Sequence, residues 1–253
     1  MTATPPRVAI LAGGRSARFA PGGGMPKALA CVGDRTLLDH VVDRYVVAGH
    51  RAIVIALGHH RDALLAHLAP DTAMPADGVL DVVRPDGVHL RLVDTGTEVG
   101  TGGRVLALRP HLANLFHLAW CDGLLDVAPA ALEADHADAG ALVTMVAAHP
   151  PTRYGRIWLD GDRVVDVAEK PLLDDVWASA GMFVVDRRAL VHADGPAASW
   201  EEDVLPRLAK DGDLTVFRHE GFWATIDTPE DLDLLARTVG DATPWRPVDG
   251  VDP

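Results

Sequence analysis

The sequence predicts an α/β fold, a mixed and mainly parallel sheet flanked by helices with small antiparallel additions. Three observations predict it. Apolar runs of strand length alternate with amphipathic stretches as far as Val146. The first of these runs leads directly into a glycine-rich turn. Beyond His149 turn residues crowd together at Gly155, Asp160-Gly161-Asp162 and Pro171, which suits short antiparallel pieces.

Taken in order, Val8-Ala9-Ile10-Leu11-Ala12 reads as a buried strand. A long glycine-rich turn, from Ala12 to Lys27, separates it from an amphipathic helix around Leu37–Asp43. Ala52–Leu57 is a second strand and His59–Leu68 a helix. His59, His60 and His67 in that helix suggest metal, but no further ligand sits at suitable spacing, which favours surface histidines. Pro70–Gly87 reads as loop with room for one short strand, and His89–Val93 as a strand. A second glycine-rich turn, Asp94–Arg104, precedes a helix that starts at Val105. Leu115–Trp120 is a buried strand running into Cys121-Asp122-Gly123. Pro129–Asp138 is a helix and Ala141–Val146 a strand. Met182–Val185 is a last short strand before a helix over Glu201–Lys210. Leu214–Phe217 and Phe222–Ile226 are apolar runs, and a helix over Pro229–Val239 closes the fold. The division expected is one domain over 1–240, with a tail over 241–253 that packs loosely.

Composition narrows the function. The chain has 253 residues and a net charge of −13, which argues against nucleic acid as a partner. No apolar run reaches the roughly 18 residues that span a membrane. The amino-terminal residues lack the pattern of a signal peptide. Cys31 and Cys121 do not make a disulfide framework, so the reading expects a reducing cytoplasm.

The first glycine-rich turn is a cationic island in this acidic chain. From Met1 to Gly33 there are four basic residues, Arg7, Arg15, Arg18 and Lys27, and no acidic one. Glycine lets backbone N–H groups approach an anion, so a phosphate site is one reading and a solvated surface loop the other. The turn has neither Gly-x4-Gly-Lys-Ser/Thr nor Gly-x-Gly-x-x-Gly, which excludes a P-loop and argues against a dinucleotide site. Of the 23 basic residues only Lys27, Lys170 and Lys210 are lysine. A lysine kept in an arginine-rich chain points to a need for a compact ammonium.

Two aspartates stand at strand ends. Asp122 ends a buried strand, where open α/β sheets place their ligands. Asp227 follows the run Phe222–Ile226 and precedes Thr228-Pro229, a helix start. Asp227 can cap that helix, or Thr228 can cap it and leave the carboxylate to a cation. Two such carboxylates suit Mg²⁺, which takes few protein ligands plus phosphate oxygens.

These motifs together resemble the sugar-1-phosphate nucleotidyltransferases. The opening signature of that family, Ala-Gly-Gly-x-Gly-Thr-Arg-Leu followed by Pro-Lys, is matched by Ala12, Gly13, Gly14, Arg18, Pro26 and Lys27. Ser16 and Ala17 stand where Gly-Thr is usual. Cys121-Asp122-Gly123 resembles the Gly-Asp-Gly of the family, Asp227-Thr228 its late Asp-Thr pair, and Glu169-Lys170-Pro171 its Glu-Lys-Pro. Within the family the likeness is to the glucose-1-phosphate cytidylyltransferases. It is carried by Val93–Gly96 with Thr101–Arg104, by Pro150–Gly155, and by Trp200-Glu201 with Gly221–Trp223.

The resemblance implies the Rossmann-like fold of the nucleotide-diphospho-sugar transferases, with a nucleotide-binding part over about 1–125 and an acceptor-binding part over about 126–240. It implies transfer of CMP from CTP to a sugar-1-phosphate, with Mg²⁺ held by Asp122 and Asp227. Arg18 and Lys27 would neutralise the triphosphate. Leu11, Ala12, Gly13, Gly14, Arg15, Ser16, Thr101, Gly102, Gly103 and Arg104 would line the nucleotide. Lys170 would meet the acceptor phosphate, with Tyr154, Gly155, Glu169, Ser179, Gly181 and Trp223 around the acceptor. A homo-oligomer is implied as well. Ser179 replaces the Asn that contacts sugar hydroxyls in the family, so the acceptor ring is expected to be held differently. Another phosphorylated acceptor, another NTP, and a nucleotide-binding regulator are the alternatives.

Overall fold

A computed structural model describes residues 7–21, 24–152, 154–169, 171–239 and 243–245. In chain order the elements begin with β1 (Val8–Leu11), β2 (Cys31–Val32), β3 (Arg35–Thr36), α1 (Leu37–Val47), β4 (Ala52–Leu57) and α2 (Arg61–Leu68). There follow β5 (Val79–Val83), β6 (His89–Asp94), α3 (Thr101–Leu108), β7 (Leu115–Trp120), β8 (Gly123–Leu125), α4 (Pro129–Ala139) and β9 (Val143–Ala148). The rest are β10 (Arg156–Asp160), β11 (Arg163–Ala168), β12 (Ala178–Asp186), α5 (Leu205–Asp211), β13 (Leu214–His219), β14 (Trp223–Thr225) and α6 (Pro229–Val239).

Eight strands form one sheet in the order β13-β9-β12-β7-β1-β4-β6-β5. β1 runs parallel to β4 and β7, β4 parallel to β6, and β9 parallel to β13. β12 is antiparallel to both β7 and β9, and β5 antiparallel to β6. The expected mixed, mainly parallel sheet is present. The continuous apolar runs have a simple cause. Val8, Ile10, Ile53 and Ile55 enter one buried cluster, while Ala9, Leu11, Val54 and Ala56 enter a second. Successive side chains point to opposite faces, so a sheet covered on both faces needs apolar residues at every position.

Local signals set the helix starts. Thr36 accepts from the Asp39 backbone N–H at 3.1 Å and Asp39 accepts from that of Thr36 at 3.3 Å, a capping box for α1. α3 starts against the segment Pro196–Trp200. Gly100 N–H donates to Pro196 O at 2.9 Å and Gly103 N–H to Ala198 O at 3.0 Å. A Cβ at Gly103 would collide with the Pro196 backbone.

Two expectations are corrected. The strand expected over Met182–Val185 is the nine-residue β12, and it lies inside the sheet. Its first half lacks apolar alternation because the register shifts between Ser179 and Phe183, where Gly181 has φ 73°. The one short strand allowed for within Pro70–Gly87 is present as β5, at the edge of the sheet. The tail is not loose where it is described. Trp245 is 3% exposed and donates its indole N–H to His40 Nδ1 at 3.2 Å. Among the described residues no helix is long and apolar enough to cross a membrane.

Gly103→Ala is expected to lower stability by about 1–3 kcal/mol, the usual cost of overpacking, because the obstructing atoms are backbone. Urea unfolding measures it. An unchanged midpoint would show that α3 can shift off the Pro196 segment.

Candidate active site

The site forms at the carboxyl ends of the central strands. β8 pairs antiparallel with β14, Gly123 opposite Thr225, and the Ile226 N–H donates to Asp122 O at 3.0 Å. That ribbon sets Asp122 and Asp227 side by side. Lys27 Nζ donates to Asp122 Oδ2 and to Asp227 Oδ1, each at 2.7 Å. Arg18 Nη2 lies 3.2 Å from Asp227 Oδ2. The two readings of Asp227 are thereby separated. Thr228 Oγ1 accepts from the Asp231 N–H at 3.2 Å and Asp231 accepts from that of Thr228 at 2.8 Å, so Thr228 caps α6. The Asp227 carboxylate faces the cations.

The charges hold one another. Burial alone would push the Lys27 ammonium down, but Asp122 and Asp227 outweigh it and hold it above the ordinary lysine value. A cation between two carboxylates relieves a repulsion that neither could escape by moving. Burial pushes the Cys121 thiol beside them up to about 12, so it stays protonated.

Ser16 shapes the loop that delivers Lys27. It adopts φ 51°, a left-handed conformation that favours glycine. Its carbonyl accepts from Phe19 and Ala20, at 3.0 and 2.9 Å, and its hydroxyl accepts from the Lys27 N–H at 3.0 Å. Among the described residues the N–H groups of Gly13, Gly14 and Arg15 have no acceptor. A cavity of about 330 Å³ lies above them.

Of the residues expected around the nucleotide, Leu11, Ala12, Gly13, Gly14, Ser16, Arg18, Lys27, Thr101, Arg104, Asp122 and Asp227 line this cavity. Three do not. Arg15 turns outward onto Glu98 at 2.8 Å. Gly102 and Gly103 are buried against the Pro196–Trp200 backbone, and the Gly103 N–H is already committed to Ala198. Their lack of side chains serves helix packing, not close approach of a ligand. Arg104 has its Nη1 engaged within the protein. Nη1 donates to Leu57 O at 3.1 Å, Thr95 Oγ1 at 2.5 Å and Gly96 O at 2.8 Å. It ties the second glycine-rich turn to the end of β4 from beneath Gly13.

The acceptor candidates are more dispersed, and none that is described lines the cavity. Tyr154 is 80% exposed, and Gly155 lies against Glu169. Ser179 is exposed, and Gly181 rests against the Trp120 side chain, which does line the cavity. Trp223 packs its ring against the core, and its indole N–H is buried without a partner among the described residues. Lys170 lies outside the described residues.

Two cavity-shaping residues had no assigned role in the sequence. Trp120 forms a wall and donates its indole N–H to Glu201 Oε1 at 2.9 Å. Glu201 Oε2 accepts from Thr101 Oγ1 at 2.5 Å. No local pattern marks this pairing, because its three members come from β7, α3 and a π-type turn, Trp200–Val204.

Comparison with known proteins adds to the geometry. Residues 8–88 match a family described as the MobA-like NTP transferase domain, and residues 112–239 match the family described as Nucleotidyl transferase. The chain is similar to a glucose-1-phosphate cytidylyltransferase of Salmonella typhi, with 29% identity over 237 residues that cover 89% of this chain and 92% of that one. The fold is similar to that of HddC from Yersinia pseudotuberculosis, with a TM-score of 0.69 and 19% identity, covering 92% of this chain and 99% of that one. It is also similar to that of the inositol-1-phosphate CTP transferase from T. maritima, with a TM-score of 0.62 and 19% identity, covering 94% and 98%.

Ser16 generates a test. Ser16→Ala keeps the left-handed strain and loses the acceptor for Lys27, whereas Ser16→Gly loses the acceptor and relieves the strain. The alanine variant is expected to be less stable than the glycine variant by about 1–2 kcal/mol in denaturant unfolding. Equal midpoints would mean that the loop does not depend on this conformation.

Proposed function

The chain belongs to the nucleotidyl transferase family, and from that premise we propose that it transfers CMP from CTP to a sugar-1-phosphate, glucose-1-phosphate or a related acceptor, giving a CDP-sugar and pyrophosphate. The observation that carries this reading is the convergence of Asp122, Asp227, Lys27 and Arg18 beside unengaged loop N–H groups at the carboxyl ends of the sheet. The similarity to the Salmonella typhi cytidylyltransferase supports cytosine as the base.

The chemistry asks for positioning and charge neutralisation. The acceptor phosphate is ionised and needs no strong base. Its oxygen forms a bond to the α-phosphorus of CTP as the bond to pyrophosphate breaks. Lys27 and Arg18 neutralise the triphosphate and the departing pyrophosphate, and the N–H groups of Gly13 and Gly14 bind phosphate oxygens. Asp122 and Asp227 are hard oxygen donors already gathered around a compact cation, which fits Mg²⁺. When bound, Mg²⁺ supplies charge neutralisation and a template for the phosphates. The acceptor side is assigned to Lys170, Glu169, Tyr154, Gly155, Ser179 and Gly181, and the parts about 1–125 and 126–240 to nucleotide and acceptor. Ser179, exposed and 3.5 Å from the Gly181 N–H, favours a second acceptor reading, a 1-phosphate whose ring differs from glucose.

The same reading includes a homo-oligomer in the cytoplasm, where the free thiols of Cys31 and Cys121 persist. The β10–β11 ribbon supports assembly, with Ile157, Leu159, Val164, Val165 and Val167 exposed on just two strands. Such a ribbon is poorly stable without cover. Ile157→Asp with Val167→Asp is expected to lower the mass seen by light scattering, and an unchanged mass would remove the ribbon from the interface.

Pyrophosphate release measured across nucleotides and 1-phosphates tests the reaction. CTP is expected to lead the other nucleotides by about tenfold or more in kcat/KM. A lead for another nucleotide would overturn the cytidylyl reading. Asp122→Asn or Asp227→Asn is expected to cost on the order of 10²-fold in rate. Near-normal turnover by Asp227→Asn would remove it from the cation pair.

A further inference from the structure

At the opposite pole of the sheet, away from the cleft, a second group of ligand-type side chains converges. His117 on β7 pairs with Val8, the first residue of β1, whereas Trp120 at the cleft pairs with Leu11, the last. His50 lies in the turn between α1 and β4, and Glu133 on α4. One donor atom from each of His50, His117 and Glu133 lies within 4.8 Å of the others. His117 is 1% exposed, its Nε2 is 2.8 Å from Glu133 Oε1, and its Nδ1 is buried with no partner among the described residues. The His50 ring stands edge-on to it, with centroids 5.2 Å apart at 80°. A cavity of about 410 Å³, lined by His50, Glu133 and Arg7, opens beside them.

Simpler roles leave this arrangement unexplained. Arg7 already meets Glu133 at 3.0 Å, so the carboxylate needs no imidazole to balance it.

We propose that His50, His117 and Glu133 bind a divalent transition cation of the zinc class, with its fourth position turned to the cavity. Two imidazole nitrogens and one carboxylate oxygen form the donor set of zinc, whereas Mg²⁺ prefers the all-oxygen pair at the cleft. Donors of a tetrahedral zinc ion stand about 3.3 Å apart, so a small rotation of half-buried His50 closes the set. The ion replaces the His117–Glu133 hydrogen bond. Arg7 keeps its hold on the carboxylate and orients it. A bound ion staples β7, the α1–β4 turn and α4 together, and it stabilises the fold by mass action.

Titration of the chelator-treated full chain with Zn²⁺, and with Co²⁺ for its tetrahedral absorption band, tests the site. Asp227→Asn is expected to keep one zinc equivalent, which assigns that binding to this pole and not to the cleft. His50→Ala and Glu133→Gln, both at partly exposed positions, are expected to weaken it by about 100-fold or more. Zinc at about 100 times Kd is expected to raise the wild-type unfolding midpoint by on the order of 5–10 °C, with no such rise in His50→Ala. Zinc binding by His50→Ala as tight as by the wild type overturns the proposal. So does a wild-type zinc equivalent that Asp227→Asn abolishes, and so does no zinc binding at all.

Discussion

The pairing of Gly123–Leu125 with Trp223–Thr225 is the constraint on which the cleft depends. It is a short ribbon outside the main sheet, closed by the Ile226 N–H on the Asp122 carbonyl. Backbone hydrogen bonds fix the relative position of two carboxylates from distant parts of the chain. Once they stand together, their repulsion demands a cation. Lys27 meets that demand at 2.7 Å on both sides and stays charged despite its burial. The loop that carries Lys27 is then determined at one end by β1 and at the other by this ion pair. Ser16 accepts an unfavourable backbone conformation to join the two.

Arg104 does for the second glycine-rich turn what Lys27 does for the first. A nearly buried guanidinium finds its partners in carbonyl and hydroxyl oxygens of Leu57, Thr95 and Gly96. It lies so close beneath Gly13 that any side chain there would strike it. One glycine of the opening motif is therefore required by a residue some ninety positions later, whatever ligand the loop binds. The two loops meet through packed polar contacts, and the cavity between them inherits its shape from that contact.

A second set of contacts joins the cleft to the later part of the chain. Trp120 is held by Glu201 on its indole N–H and by Gly181 against its ring. Glu201 also takes the Thr101 hydroxyl, which in turn accepts from the Trp200 N–H at 2.8 Å. One wall of the cavity is thus supported from β12 and from the turn before α5. Substitutions in those distant segments reach the cleft through the Trp120 ring and through Thr101, both of which line it.

The sequence by itself determined the buried strands, because a two-faced sheet favours apolar residues at each position: Val8–Leu11 and Ala52–Leu57 have them throughout, and Leu115–Trp120 departs from the pattern at His117. It singled out Lys27 by its rarity, and Asp122 and Asp227 by their positions at strand ends. It left Asp227 divided between cap and cation, since both uses need only a local backbone. The tertiary structure decided that by giving the cap to Thr228. It also decided what no local pattern carries: the antiparallel course of β12, the packing role of Gly102 and Gly103, the burial of Trp245, and the grip of Glu201 on Trp120. Periodicity reports whether a residue faces the core. Which remote residue it meets there depends on how the strands are ordered, and that order is a property of the assembled sheet.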